Sequence, residues 1–159
     1  MLSADLEMEK KEYIISRDDV QLIDIELDDI EMHNLKKVTF MHDKKGADFH
    51  IKRGIRKIDA QNIDGIIETN ITIREQEEAC VTMRIVYKGR FNTQKELSEE
   101  EFIHRVYVQM VPQILPYIRS TVSSLSAMLG IPPLVLPTMD VLRSIKSNKK
   151  RDFHDVIAN

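Results

Sequence analysis

The fold is decided by residues 67–88, which read IETNITIREQEEACVTMRIVYK. Every second position on either side of the charged turn at 75–78 carries an apolar residue or threonine, which is the pattern of a strand with one buried and one solvated face. The inward series are Ile67, Thr69, Ile71 and Ile73, then Val81, Met83, Ile85 and Tyr87. The stretch therefore predicts an antiparallel hairpin.

Two further strands are predicted upstream of this hairpin. Apolar and acidic residues alternate from Val20, and Ile30 and Met32 resume the alternation out of phase, as a β-bulge would produce. A weaker strand is centred on Phe49, Ile51 and Ile55. Four strands without intervening helical periodicity favour an antiparallel meander or Greek key over βαβ units.

The second half of the chain is predicted to be helical. Ser98 and Glu101 form a capping box, and Gly130 stands where a helix end accepts a positive φ angle. Between them runs an apolar stripe of Val111, Leu115, Ile118, Val122, Leu125 and Leu129. Because Pro112 and Pro116 remove amide donors, we expect a short helix over 98–110 and a longer one beginning near 112–116.

The domain organisation follows from these elements. We expect a flexible arm at 1–14, one α+β domain at 15–145 and a polar basic tail at 146–159. The domain is predicted to pack a four-stranded antiparallel sheet against a long helix with short flanking helices, the last of them over 139–145.

Composition excludes several classes of protein. The 159 residues are 42% hydrophobic and 31% charged, which is typical of a globular chain. A net charge of −3 gives no overall field for nucleic acid or an anionic membrane. Neither a signal peptide nor a membrane span is expected, and a single cysteine, Cys80, fits a reducing compartment. We therefore expect a cytoplasmic protein.

No motif for chemistry stands out. The five histidines form no helical i,i+4 pair, and the five glycines are scattered, so we expect no metal, no nucleotide and no other cofactor. SSLS at 123–126 lies in the apolar stripe, where serine is a small packing residue. The basic cluster at 146–151 is interpreted as a solvated tail and not as a nucleic-acid site. We expect no enzymatic activity.

The order of three motifs resembles the SecB family of export chaperones. GRF at 89–91 ends the fourth strand, LPYIR at 115–119 opens a long helix, and IPPLVLP follows Gly130 at 131–137. This resemblance spans about residues 20–145. It implies a homotetramer, a dimer of dimers, that holds unfolded or precursor polypeptides without ATP.

The resemblance also implies a peptide-binding groove. Its candidate residues here are Phe40 and Met41 in the crossover, Tyr107, Met110 and Ile114 in the helix, and Leu134 and Leu136 in the extended segment. Methionine and aromatic side chains suit a surface that accepts many sequences. The alternative is that these residues belong to the core or to an oligomer interface.

In the export branch of the family, the chaperone hands its client to the translocase motor SecA. Asp29 falls at one of the acidic docking positions on the sheet, whereas His33 and Arg84 replace acidic residues at two others. These departures, with the basic tail, leave motor docking in question. Some SecB-like proteins instead serve a toxin–antitoxin pair.

Two other functions stay open from the sequence. One is an interaction module dedicated to a single partner on the same fold, and the other is an enzyme whose site is assembled from distant residues. Oligomerisation along an edge strand or along the helix face of Val122 and Leu125 is also predicted.

Overall fold

A computed structural model describes residues 2–37, 45–134 and 136. The elements follow the order α1 (Leu2–Asp19), β1 (Gln21–Asn34), β2 (Lys45–Lys57), β3 (Asn62–Glu75), β4 (Glu78–Asn92) and α2 (Glu99–Met128). The predicted α+β class with a four-stranded antiparallel sheet is confirmed. The helix predicted over 139–145 and the tail at 146–159 lie outside the described residues.

The hairpin of β3 and β4 is the centre of the sheet. Its two-residue turn places Gln76 and Glu77 at φ angles of 51° and 65°, the left-handed pair that matches the twist of the flanking strands. The strands pair from Asn62 with Asn92 to Glu75 with Glu78. The prediction from the alternating sequence is confirmed.

The other two strands complete a Greek key. The strand order is β1-β4-β3-β2, so β2, β3 and β4 form a meander and β1 returns to pair with β4. The β1–β4 register shifts between Leu22 and Asp24 and again between Leu27 and Asp29. The second shift is the bulge predicted from the change of phase.

Helix α2 runs unbroken through both prolines, which corrects the prediction of two helices. Pro112 and Pro116 lie inside its 30 residues, although an interior proline costs about 3 kcal/mol in an isolated helix. The stripe around them, with Val111, Leu115 and Ile118, is buried. Burial contributes about 1.5–3 kcal/mol for each large side chain, so tertiary packing offsets the cost of the prolines.

Helix α1 forms where a flexible arm was expected at 1–14, and that expectation is corrected. The Glu12 carboxylate pairs with His104 of α2, and the Gln109 side chain donates to the Tyr13 carbonyl at 3.1 Å. Asp19, at the end of α1, forms an ion pair with Arg105 at 3.2 Å. These are single polar contacts with a helix that is distant in the sequence, so they produce no periodic pattern of apolar residues in α1.

Helix α2 lies on one face of the sheet, mainly over β3 and β4. A Cβ atom on Gly65 would come within 3.2 Å of the Met110 side chain, and one on Gly89 within 3.0 Å of Ile114 Cδ1. The two glycines therefore allow the helix to approach the central strands closely. Neither α1 nor α2, the helices of the described residues, is long and apolar enough to cross a membrane.

Two fully buried threonines provide a test of this packing. Thr69 is 0% exposed and its hydroxyl has no hydrogen-bond partner among the described residues. Thr93 is 1% exposed, donates to the Asp19 carbonyl at 2.8 Å and accepts from the Lys95 amide at 3.2 Å. We expect Thr69→Val to raise the free energy of unfolding by about 1 kcal/mol and Thr93→Val to lower it by about 1–3 kcal/mol.

Urea unfolding of the two variants beside the wild type checks this expectation. A loss of stability in Thr69→Val equal to that in Thr93→Val would contradict it.

Candidate functional site

The structure does not bring the seven predicted groove residues together as one open surface. Met110 and Ile114 are 0% exposed, and Leu136 is also buried in the core. Tyr107 and Leu134 are half-buried and pack at the edge of the core. Phe40 and Met41 lie outside the described residues.

Met110 and Ile114 form the contact between α2 and the sheet, because they fill the space above Gly65 and Gly89. Val122 and Leu125 are likewise buried in the same core. These positions are therefore core residues of the single chain, which corrects the assignment of Met110 and Ile114 to an open groove.

The width of α2 explains where apolar surface remains. A helix with its side chains is about 10–12 Å across, and neighbouring strands lie about 4.8 Å apart, so one helix covers about two strands. Since α2 lies mainly over β3 and β4, the residues that the structure describes cover the helix-facing sides of the edge strands β1 and β2 incompletely. Two apolar strips result, one on each flank of α2.

The β2 strip consists of Phe49, Ile51 and Ile55 of β2 with Ile103 and Tyr107 of α2, all of them half-buried. Register places the three strand residues on the face that carries Ile71, Thr69 and Gly65 of β3, which is the face under α2. Tyr107 is the only predicted groove residue in this strip.

Arg53 fixes the position of Tyr107 in the β2 strip. Its guanidinium carbon lies 4.2 Å from the centre of the Tyr107 ring, and its Nη1 donates to the Tyr107 carbonyl at 3.4 Å. The arginine is only 6% exposed, so the cation–π contact is largely shielded from water.

A cleft of about 230 Å³ lies beside the first turn of α2, next to the end of β2. It is lined by Lys57, Asp59, Ala60, Ile63, Leu97, Glu99 and Phe102.

The β1 strip consists of Leu27 and Ile30 of β1, Tyr87 of β4 and Tyr117 of α2. Leu27, Ile30 and Tyr117 are 43%, 39% and 42% exposed. The two tyrosine rings lie 6.2 Å apart, and the Tyr87 hydroxyl shares a hydrogen bond with Thr121. This strip was not predicted from the sequence, because alternation shows which strand face is apolar but not how far a helix covers it.

The opposite face of the sheet is charged and internally neutralised. Asp29, the predicted motor-docking residue, pairs with Arg84, which also donates to Glu68 at 3.1 Å. Lys88 pairs with Glu26 at 2.8 Å in the same way. Hydrogen bonds from Asn70 and Arg84 lower the pKa of Glu68. The Asp29 carboxylate is therefore compensated within the sheet and does not present an isolated negative charge.

Asp64 is the buried centre of this charged face. It is 1% exposed and accepts from Arg90 at 2.8 and 3.2 Å and from Arg56 at 2.7 Å. Burial alone would raise the pKa of Asp64, but the hydrogen bonds and charges of Arg90 and Arg56 outweigh burial and lower it. The three side chains tie β2, β3 and β4 together.

The described residues contain no group of three or more histidine, cysteine, aspartate or glutamate side chains placed to hold a metal ion. The strips instead offer apolar and aromatic surface beside hydrogen-bonding backbone. Such an arrangement is suited to contact with another polypeptide.

The model of the family described as preprotein translocase subunit SecB matches residues 17–150. Among solved structures, the chain is similar to a SecB-like chaperone from Mycobacterium tuberculosis in complex with a ChAD peptide from the HigA1 antitoxin. The TM-score is 0.68 at 19% identity, over 80% of this chain and 96% of that chain.

A protein of unknown function from Streptococcus agalactiae has a TM-score of 0.46 at 11% identity, over 74% of this chain and 95% of that chain. A comparison with curated proteins gave no match. The fold of the SecB-like chaperone is shared by this chain.

The Asp64 cluster gives a testable prediction. Asp64→Asn removes the buried negative charge and one of the two oxygens that accept from Arg56 and Arg90. We expect the free energy of unfolding to fall by about 1–3 kcal/mol at pH 7. The loss is modest for a buried pair because Arg56 and Arg90 are 44% and 40% exposed. Since the folded pKa of Asp64 is lowered, its contribution is complete above the unfolded pKa of about 3.9 and is lost as the pH falls through the folded value.

Urea unfolding of wild type and Asp64→Asn from pH 7 to pH 3 should show their difference shrinking only below about pH 4. The matched control is Asp48→Asn, whose ion pair with Arg74 is exposed, and which should change stability much less. An equal effect of the two substitutions would contradict the assigned role of Asp64.

Proposed function

Because the chain belongs to the SecB family, we propose that it is an ATP-independent molecular chaperone, a holdase that binds non-native polypeptides. The observation that carries the proposal is the pair of apolar strips left open on the two flanks of α2. Non-native chains expose apolar segments that a native protein buries, so these strips and the clients have matching chemistry.

The strips suit weak contacts with many sequences. Each half-exposed side chain buries little area, and about 25 cal/mol per Å² makes any one contact weak. Contacts made in parallel along one client add to a useful avidity, more so if several copies of the chain assemble. We propose a homo-oligomer of the dimer-of-dimers type, acting in the cytoplasm on unfolded or precursor polypeptides.

The strips replace part of the groove predicted from the sequence. Tyr107 remains in the proposed binding surface, within the β2 strip, and Leu134, which is half-buried and packs against the core, stays a candidate. Phe40 and Met41 stay candidates in the crossover between β1 and β2.

Delivery to the motor SecA for protein export is the less favoured role. The pairing of Asp29 with Arg84 and of Glu26 with Lys88 neutralises the sheet face on which motor docking was expected. A chaperone or interaction module dedicated to one partner, such as an antitoxin, is therefore the second candidate. The similar chaperone from Mycobacterium tuberculosis, in complex with an antitoxin peptide, motivates this alternative.

Aggregation of two unrelated unfolded proteins, followed by light scattering without nucleotide, tests the first candidate. We expect the wild type to slow both, and Leu27→Ser/Ile30→Ser to need at least about threefold more protein for the same effect. Met8→Ser/Ile14→Ser is the matched control, because it removes exposed apolar side chains from α1 and leaves the strips intact.

The mass of each protein in solution is measured alongside. Protection of neither client by a folded wild type would refute the holdase proposal and favour the dedicated partner. A change of mass in Leu27→Ser/Ile30→Ser would assign the β1 strip to the oligomer interface.

A further inference from the structure

Helix α1 is held against the rest of the protein by polar contacts. Glu12 pairs with His104, the Gln109 amide donates to the Tyr13 carbonyl at 3.1 Å, and ion pairs at Asp19 anchor the end of the helix. In the part of the chain that the structure describes, no residue of α1 belongs to the hydrophobic core or to the half-buried apolar residues packed against it. The docking of α1 therefore gains little from apolar burial.

The side chains of α1 are distributed in a way that weakens its docking. Leu6, Met8, Ile14 and Ile15 are exposed, whereas Ser16 is 0% exposed. Ser16 lies one turn beyond the residues that contact α2, on the same face of α1. Its hydroxyl has no hydrogen-bond partner among the described residues. A buried hydroxyl without a partner has lost its hydrogen bonds to water, so it opposes the docked state.

These features predict that α1 leaves α2 more easily than the sheet unfolds. Segments with few buried apolar contacts open locally, while core strands open only when the whole protein unfolds. The Glu12 and His104 side chains are 30% and 39% exposed, and ion pairs that water reaches are weak. Val20, directly after α1, is fully buried in the core. The junction of α1 with β1 is therefore the point about which α1 moves.

Helix α1 meets α2 on the flank that also carries the β1 strip. Gln109, Gln113 and Tyr117 follow one another at four-residue intervals along α2, so their side chains share one side of the helix. Gln109 contacts α1, Gln113 accepts from the Leu22 amide of β1 at 3.0 Å, and Tyr117 belongs to the β1 strip. The α1 contact thus lies about 12 Å along α2 from Tyr117. Helix α1 closes this end of the β1 strip.

We propose that α1 is an autoinhibitory cover, which moves away from α2 and lengthens the β1 strip when a non-native polypeptide binds. This inference rests on the proposed chaperone function and adds a regulatory element to it. Because the longer strip exists only in the open state, the apparent affinity for a client scales with the fraction of molecules in which α1 is undocked.

Amide hydrogen exchange of the full-length protein, followed by mass spectrometry, measures the opening. We expect the amides of α1 to be at least about a hundredfold less protected than those of β3 and β4. Ser16→Ala removes the hydroxyl that opposes docking and should raise the protection of α1 about fivefold. Glu12→Gln weakens the pair with His104 and should lower it about threefold. The matched control is Lys11→Gln, which changes an exposed residue of α1 and should have no effect.

The same variants are then compared in their binding of a labelled polypeptide that reduction and carboxymethylation of its cysteines keep unfolded. Fluorescence anisotropy should show that Glu12→Gln binds this polypeptide about threefold more tightly than the wild type. Ser16→Ala should bind it about fivefold more weakly, and Lys11→Gln should match the wild type. The mass of each protein in solution is measured in parallel.

The outcomes separate this inference from the proposed function. Protection of α1 equal to that of β3 and β4 would overturn the inference. Equal affinities of wild type, Glu12→Gln and Ser16→Ala would also overturn it, while the binding itself would support the holdase proposal. Changes of mass that parallel the affinities would overturn it as well, because α1 would then control assembly. Failure of all four proteins to bind the unfolded polypeptide would refute the holdase proposal and the cover with it.

Discussion

The close packing of α2 on the two central strands is the contact on which the rest of the structure depends. Gly65 and Gly89 lack the Cβ atoms that would hold the helix away, so Met110 and Ile114 fill the space above them. Side chains from both elements then form one core. A single helix seated over β3 and β4 leaves the two edge strands partly open, and the apolar strips follow from that difference in width. The proposed binding surface and the core are thus two results of one contact.

The charged face of the sheet and the N-terminal helix add polar contacts to this core. Asp64 joins three strands through Arg56 and Arg90, and Arg84 bridges Asp29 and Glu68. The Gln109 side chain of α2 donates to α1 and accepts from the Gln113 side chain. Gln113 in turn accepts from the Leu22 amide of β1 at 3.0 Å, so these hydrogen bonds join α1, α2 and β1. Because directed hydrogen bonds demand a particular register, these contacts help to select one arrangement of strands and helices. They also neutralise much of the sheet face that a basic partner would need.

Sequence reasoning succeeded where one local pattern determined the structure. The hairpin, the bulge after Leu27 and the capping box of Ser98 and Glu101 all follow from neighbouring residues. It failed where distant packing decided the outcome. Burial of the α2 stripe carries the helix through Pro112 and Pro116, and contacts with α2 order α1. Periodicity also identifies an apolar helix face without showing which of its residues meet the sheet, so it did not reveal that Met110 and Ile114 are buried.

The Greek-key order of the strands has a consequence for the synthesis of the protein itself. The partner of β1 is β4, whose residues lie about fifty to seventy positions later in the chain. Because the ribosome adds about 5–20 residues per second, β1 is synthesised several seconds before β4 emerges. During that interval the nascent chain displays the alternating isoleucines and leucines of residues 22–30, separated by carboxylates that keep neighbouring nascent chains apart. A protein proposed to shelter unfinished polypeptides therefore passes through a comparable state, and the acidic residues of β1 protect it there.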